Sequence, residues 1–204
     1  MKNNRKSIVQ HRRAEIIQAA KKVFLKKGFR NTTMEDVIHQ TSLSKGGFYH
    51  YFKSTKDISF AIMDGLILFE LQDMLVQCKA KRFSNTRQRA EFITKYLVDF
   101  MFRESEEQKL YIIFLTEIPY DKTYLEMFNN SQMKAVKGIV NYLRDADAAI
   151  PPDEVIIPKL LFIGRILNSI AIGRRLFNAK ESFKKHRGFI QQMMLSMVLD
   201  LIGQ

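Results

Sequence analysis

Residues 32–52 read TTMEDVIHQTSLSKGGFYHYF, and the fold follows from this stretch. Thr32-x-x-Glu35 has the spacing of a capping box, which predicts a short helix with Met34, Val37 and Ile38 facing inward and an end near Thr41. Ser42-Leu43-Ser44 supplies a turn, with Leu43 as its buried plug. Ser44 suits the N-cap of a second helix, from Lys45 to about Tyr51. Gly46 and Gly47 are poor helix formers, each costing up to about 1 kcal/mol relative to Ala. Two of them in a first turn suit a helix whose backbone must approach another molecule closely; the bland reading is a loose loop. Small, hydroxylated, aromatic and basic residues on such a helix suit a DNA groove.

Upstream, Ile16, Ile17, Ala20, Val23 and Phe24 share one face of a helix from Arg12 to Lys27, and Gly28 is its left-handed stop. Residues 1–11 read as a basic, flexible tail. The charge is polarised. Of a net +12, residues 1–56 hold 13 Lys/Arg against 3 Asp/Glu, and residues 57–204 hold 20 against 18. A basic unit attached to a nearly neutral body points to a polyanionic partner. A solvated lysine-rich face is the plainer alternative, and charge alone does not separate DNA, RNA and anionic membrane.

The segment from about Arg12 to Ile58 resembles the DNA-binding domain of the TetR family of transcriptional regulators. The AAKKVFLKKGF run, TTMEDV, LSKGGFYHYF and a helix opening at Ser54 carry the resemblance, in that order and spacing. Two positions depart from the family pattern. Ser42 stands where a turn glycine is usual, and Thr55 where a lysine is frequent, with Lys56 next to it. Chemistry and resemblance together assign DNA contacts to Thr33, Ser44, Lys45, Gly46, Gly47, Tyr49, His50 and Lys56. Lys45 and Gly47 approach bases, and the hydroxyls, Tyr49, His50 and Lys56 approach phosphates. Phe48 and Phe52 read as core. Tyr51 is open, and His50 has a partly buried, uncharged alternative.

Beyond residue 56 the period of 3.6 continues. Ser54-x-x-Asp57 opens a long helix to about Lys79, with a stripe of Ile58, Ile62, Gly65, Leu66, Phe69 and Val76. Ser84 is the expected cap of the next helix, and Ser105-x-x-Gln108 caps another that stops before Pro119. A further helix runs from Lys122 to about Arg144, and 145–154 is a loop. Pro158 leaves the following start open, at Asp153 with a bend or at Pro158 itself. The last helix runs from about Glu181 to Ile202.

The fold class is therefore all-α, with about nine helices. An N-terminal three-helix helix-turn-helix domain (1–56) precedes a C-terminal helical ligand-binding and dimerisation domain (57–204). The wide apolar surfaces of the last two helices exceed one core's needs, so Leu167, Ile170, Ala171, Met194, Met197 and Leu201 are expected in a homodimer interface. The alternative is a purely intramolecular core. The resemblance favours pairing through these helices.

In TetR-like regulators the middle helices bind a small effector. Phe69, Phe92, Tyr96, Phe100, Tyr111, Phe114, Met127 and Phe128 could line such a pocket, for an apolar or amphipathic ligand. Each taken singly reads as core. The resemblance implies a dimer on double-stranded DNA at a palindromic operator, acting as a repressor released by its effector.

Other classes fare less well. The four histidines lack metal-ligand spacing, and no phosphate loop, nucleophile elbow or dinucleotide fingerprint occurs. No catalytic, metal or cofactor site is expected. The N-terminus lacks the form of a secretory signal, no run of about 18 uncharged apolar residues occurs, and the single Cys78 fits a reducing cytoplasm. A nucleic-acid-coating protein without effector and, less favoured, a helical enzyme are the rival readings. A membrane-surface protein is a third.

Overall fold

The computed structural model describes residues 2–146 and 150–201, and among them every regular element is helical. The order is α1 (Lys2–Lys27), α2 (Met34–Ile38), α3 (Lys45–Tyr49), α4 (Thr55–Lys79), α5 (Thr86–Phe102), α6 (Glu106–Glu117), a 3-10 turn (Ile118–Tyr120), α7 (Lys122–Ala146), α8 (Asp153–Leu176), α9 (Lys180–Lys185) and α10 (Arg187–Leu201).

The described chain forms two compact units. One comprises Met1–Leu66 and Ser105–Met127, the other Ile67–Glu104 and Phe128–Gln204, so α4 and α7 contribute to both. In the first unit the helix-turn-helix closes over Ile16, Ala20, Phe24, Phe29, Val37 and Phe48, all buried. Phe29 meets Phe24 at 4.5 Å between ring centroids and Phe114 of α6 at 6.3 Å. In the second unit Met74, Ile93, Val98, Val140, Ile156, Ile163, Met194 and Val198 form the centre of an α4–α5–α7–α8–α10 core.

Local chemistry sets the boundaries. Gly28 has φ +77° and its N–H donates to the Phe24 carbonyl at 2.8 Å, the left-handed stop the sequence predicts. Asn178 takes the same role after α8, with φ 49°. Pro152 is the N-cap of α8, so this helix starts at Asp153 and carries Pro158 inside it.

Several expectations are corrected. α1 begins at Lys2, which replaces a flexible tail over the described part of 1–11. The cap of α2 is Thr33, one residue later than predicted. Thr32 is buried and its hydroxyl donates to the Gly28 carbonyl at 2.7 Å, so Thr33 and Asp36 make the reciprocal box. Likewise Asn85 caps α5, while Ser84 donates its N–H to Gln88 Oε1. The last predicted helix is two, interrupted at His186 just before Gly188. Ten α-helices are thus described, against about nine expected. The predicted 145–154 loop includes residues 147–149, and the predicted last helix reaches Ile202; those residues lie outside the described ones.

Candidate functional site

The N-terminal unit assembles its candidate surface from α2, the turn and α3. The Ser44 hydroxyl accepts the Gly47 N–H at 3.3 Å, which caps α3 as predicted. Phe48 and Phe52 are buried, so they anchor α3 and leave its other face outward. Arg13 stacks over the Phe52 ring at 4.3 Å and ties α1 to the end of this segment. Lys45, Gly46 and His50 are exposed, while Gly47, Tyr49 and Tyr51 are half-buried. A Cβ at Gly46 would meet nothing within 4 Å, so packing within the chain does not demand a glycine there. The imidazole of His50 lies edge-on to Tyr51 at 5.4 Å.

The turn is held by a clamp that the sequence reading missed. Ser42 donates both its N–H and its hydroxyl to Glu15 Oε1, each at 2.7 Å. Arg12 bonds both Glu15 and the Ser42 hydroxyl at 2.9 Å. The Ser42 hydrogen bonds, then Arg12, hold the Glu15 carboxyl at about 2, against an ordinary 4.5. Among the described residues Asn178 alone, apart from glycine, has positive φ. The turn therefore runs through Ser42 in ordinary backbone geometry.

A second carboxylate bears on the surface itself. Glu35 of α2 accepts Lys45 Nζ at 2.6 Å, with both side chains exposed. Its pKa is lowered chiefly by that bond, and the Lys45 pKa is raised by the same contact. The pair brings Thr33, Glu35 and the start of α3 to one place. Lys53, another residue not foreseen, donates to the Tyr49 carbonyl at 2.7 Å, closing the end of α3. Lys56 is engaged elsewhere. Its ammonium pairs with Asp121 at 2.5 Å and holds that carboxyl at about 2. A phosphate contact from Lys56 would have to break this pair.

Of the eight residues expected to line one pocket, Tyr111, Phe114 and Met127 fall in the first unit and Phe69, Phe92, Tyr96, Phe100 and Phe128 in the second. Phe114 and Tyr111 are buried in the first unit, where Phe114 packs on Tyr124 at 5.3 Å. Met127 belongs to the first unit and Phe128 to the second. Phe69 is 62% exposed, because α4 is apolar on more than one face and Met63, Met74 and Cys78 take the buried one. Tyr96 donates to Asp73 at 2.7 Å, and Phe92 packs on Phe83 at 5.7 Å.

The second unit instead holds a cavity of about 40 Å³ among α4, α5, α7, α8 and α10. Its wall is aliphatic, with Arg89 and Thr86 as the polar members. None of the eight predicted pocket residues lines it.

The expected interface is also redrawn. Ala171, Met194 and Leu201 are buried inside the single chain, where they serve the core. Leu167, Ile170 and Met197 are half-buried against that core. The large apolar side chains left outward there are Val155, Phe162 and Leu176 on α8, Phe177 at its end, and Phe189 on α10. α8 is long and apolar enough to cross a membrane by length and composition, although Lys159 and Arg165 interrupt it. No group of three or more potential metal ligands occurs among the described residues.

Comparison with known proteins agrees with this geometry. Residues 16–62 match the sequence profile described as "Bacterial regulatory proteins, tetR family". The HTH-type transcriptional regulator YfiR of Bacillus subtilis is 49% identical over 53 residues, which cover 26% of each chain. The likeness to this relative thus spans about a quarter of its length. The solved structure of GusR from Salmonella enterica superposes with a TM-score of 0.66 at 18% identity, covering 94% of this chain and 95% of that one. The fatty acid degradation regulator FadR from Bacillus halodurans gives 0.67 at 12% identity, covering 90% and 94%. These two likenesses concern the fold.

Proposed function

We propose, from the premise that this chain is a TetR-type transcriptional regulator, that it acts as a homodimeric repressor. In this reading residues 1–56 are the DNA-reading domain and residues 57–204 carry effector binding and pairing. The observation that carries it is the outward face of α3. This helix is capped by Ser44, pinned from behind by Phe48 and Phe52, and headed by an exposed Lys45. Lys45 and the backbone at Gly46 and Gly47 approach base edges in the major groove, where lysine donates to guanine acceptors. Thr33, Ser44, Tyr49 and His50 approach phosphates.

One short helix supplies few base contacts. Two copies related by a two-fold axis place a pair of such helices about 34–36 Å apart and read a palindrome. The pairing face is assigned to the exposed Phe162 of α8 and Phe189 of α10, with the half-buried Ile166, Ile170, Met193 and Met197 beside them. Exposed aromatic and half-buried aliphatic side chains at these spacings support it. Covering this face by a second copy also accounts for the apolar character of α8 without a lipid environment. The protein acts in the cytoplasm and needs no cofactor. An effector held in the second unit releases the operator by favouring the spacing that does not fit DNA.

Selection of bound sequences from random DNA tests the reading, and one short palindrome is expected. Uniform protection of all DNA would establish the coating-protein alternative instead. Lys45→Ala is expected to weaken operator binding more than binding to random DNA; equal losses would remove its base-reading role.

A further inference from the structure

The chemistry of the cavity in the second unit narrows the effector class, and this step rests on the regulatory reading above. Eleven of its thirteen lining residues are Ala, Val, Leu, Ile or Met, and none is aromatic. A flat aromatic ligand would find no ring to stack on. No carboxylate lines it either, so nothing there would neutralise a cationic ligand.

Arg89 is the one charged group in the wall. Its Nε is buried and has no hydrogen-bond partner. Among the described residues no carboxylate forms an ion pair with it, whereas its helix neighbour Arg87 pairs with Glu91 at 3.2 Å. The guanidinium is positioned by other means. It lies 5.8 Å from the Phe83 ring, and its charge acts on the Tyr142 hydroxyl. A partly desolvated guanidinium whose Nε–H has no partner is a receptor for a planar anion, which arginine holds through paired N–H···O bonds.

We infer that this cavity receives an amphipathic monocarboxylate, its aliphatic chain among Met74, Leu97, Leu143 and Leu160 and its carboxylate on Arg89. About 40 Å³ is room for roughly three water-sized occupants, so the chain enters by displacing wall side chains. Methionine and leucine yield most readily. Met74 stands on α4, a helix that contributes to both units.

The test is calorimetric titration of the full chain with octanoate, dodecanoate and hexadecanoate below their micellar concentrations, beside the matching primary alcohols. The acid is expected to bind at least about tenfold tighter than the alcohol of equal length, the range of a charge-assisted pair. Arg89→Gln is expected to abolish that preference while leaving alcohol binding unchanged. Equal binding of acid and alcohol by the unaltered chain, no binding of any acid, or a preference that survives in Arg89→Gln would overturn the inference. The acid–alcohol comparison on the unaltered chain stands even if the variant folds poorly. Operator selection without ligand is run on the same preparation. Failure there removes the regulatory reading, while failure of calorimetry alone removes only the ligand class.

Discussion

Ser42 occupies a turn position where glycine is usual, and the clamp to Glu15 explains how a side chain serves there. The Ser42 N–H and hydroxyl both end on one carboxylate, and φ need not be positive. The folded pKa of Glu15 is depressed from 4.5 to about 2. A depressed carboxyl contributes stability that is present above its unfolded pKa and lost as pH falls through the folded one. Protection of the Ser42 amide from hydrogen exchange is therefore expected to fall as pH drops from about 4.5 toward 2, and Glu15→Gln should flatten that dependence. An unchanged profile in the variant would remove the clamp. Glu35 acts in the opposite sense on binding. It neutralises Lys45 in the free chain and places negative charge at the proposed DNA-facing surface. Glu35→Gln is expected to tighten binding to random DNA by about two- to fivefold, the range of an exposed pair, as read by fluorescence anisotropy. None of this was legible in the sequence, because Glu15 and Ser42 are 27 residues apart and meet only in the fold.

At the scale of elements, the sequence located nearly every helix but misplaced caps where two capable residues adjoin. Thr32 and Thr33 are equivalent by pattern. The left-open carbonyl of Gly28 claims the first and leaves the second to cap α2. The stripe on α4 failed for a related reason: a helix apolar on several faces does not declare which face is covered, and Phe69 and Val76 prove exposed. The same ambiguity misplaced Met194 and Leu201. Gly28 was legible because its role is local. Gly28→Ala meets no steric obstacle but must adopt φ +77°, at a cost of about 1–2 kcal/mol. Thermal unfolding should register it as a lowered midpoint with the DNA site preference intact.

For the molecule as a whole, formal charge overstates what DNA can use. Among the described side chains, six of the ten basic residues in 7–56 are already paired: Arg12, Lys21, Lys27, Arg30, Lys45 and Lys56. The logarithmic salt dependence of operator affinity is accordingly expected to be no steeper than about −6 per protomer, since each neutralised phosphate contributes about −0.9. A slope approaching the full tally would mean these pairs open on DNA. Pairing of protomers is tested at the redrawn face. Phe162→Glu is expected to give a monomer in sedimentation with operator affinity down more than about tenfold, while Met194→Glu should unfold the second unit.

The first unit is discontinuous, since Phe29 of the early chain packs against Phe114 from the 105–127 segment. Synthesis proceeds from the N-terminus, so the DNA-reading helices leave the ribosome well before the segment that completes their core. At about 5–20 residues per second, the 61 residues from Ile67 through Met127 impose a wait of roughly 3–12 seconds before the unit is complete. During that interval Phe29 lacks its α6 partner and the nascent reader is open to chaperones and proteases.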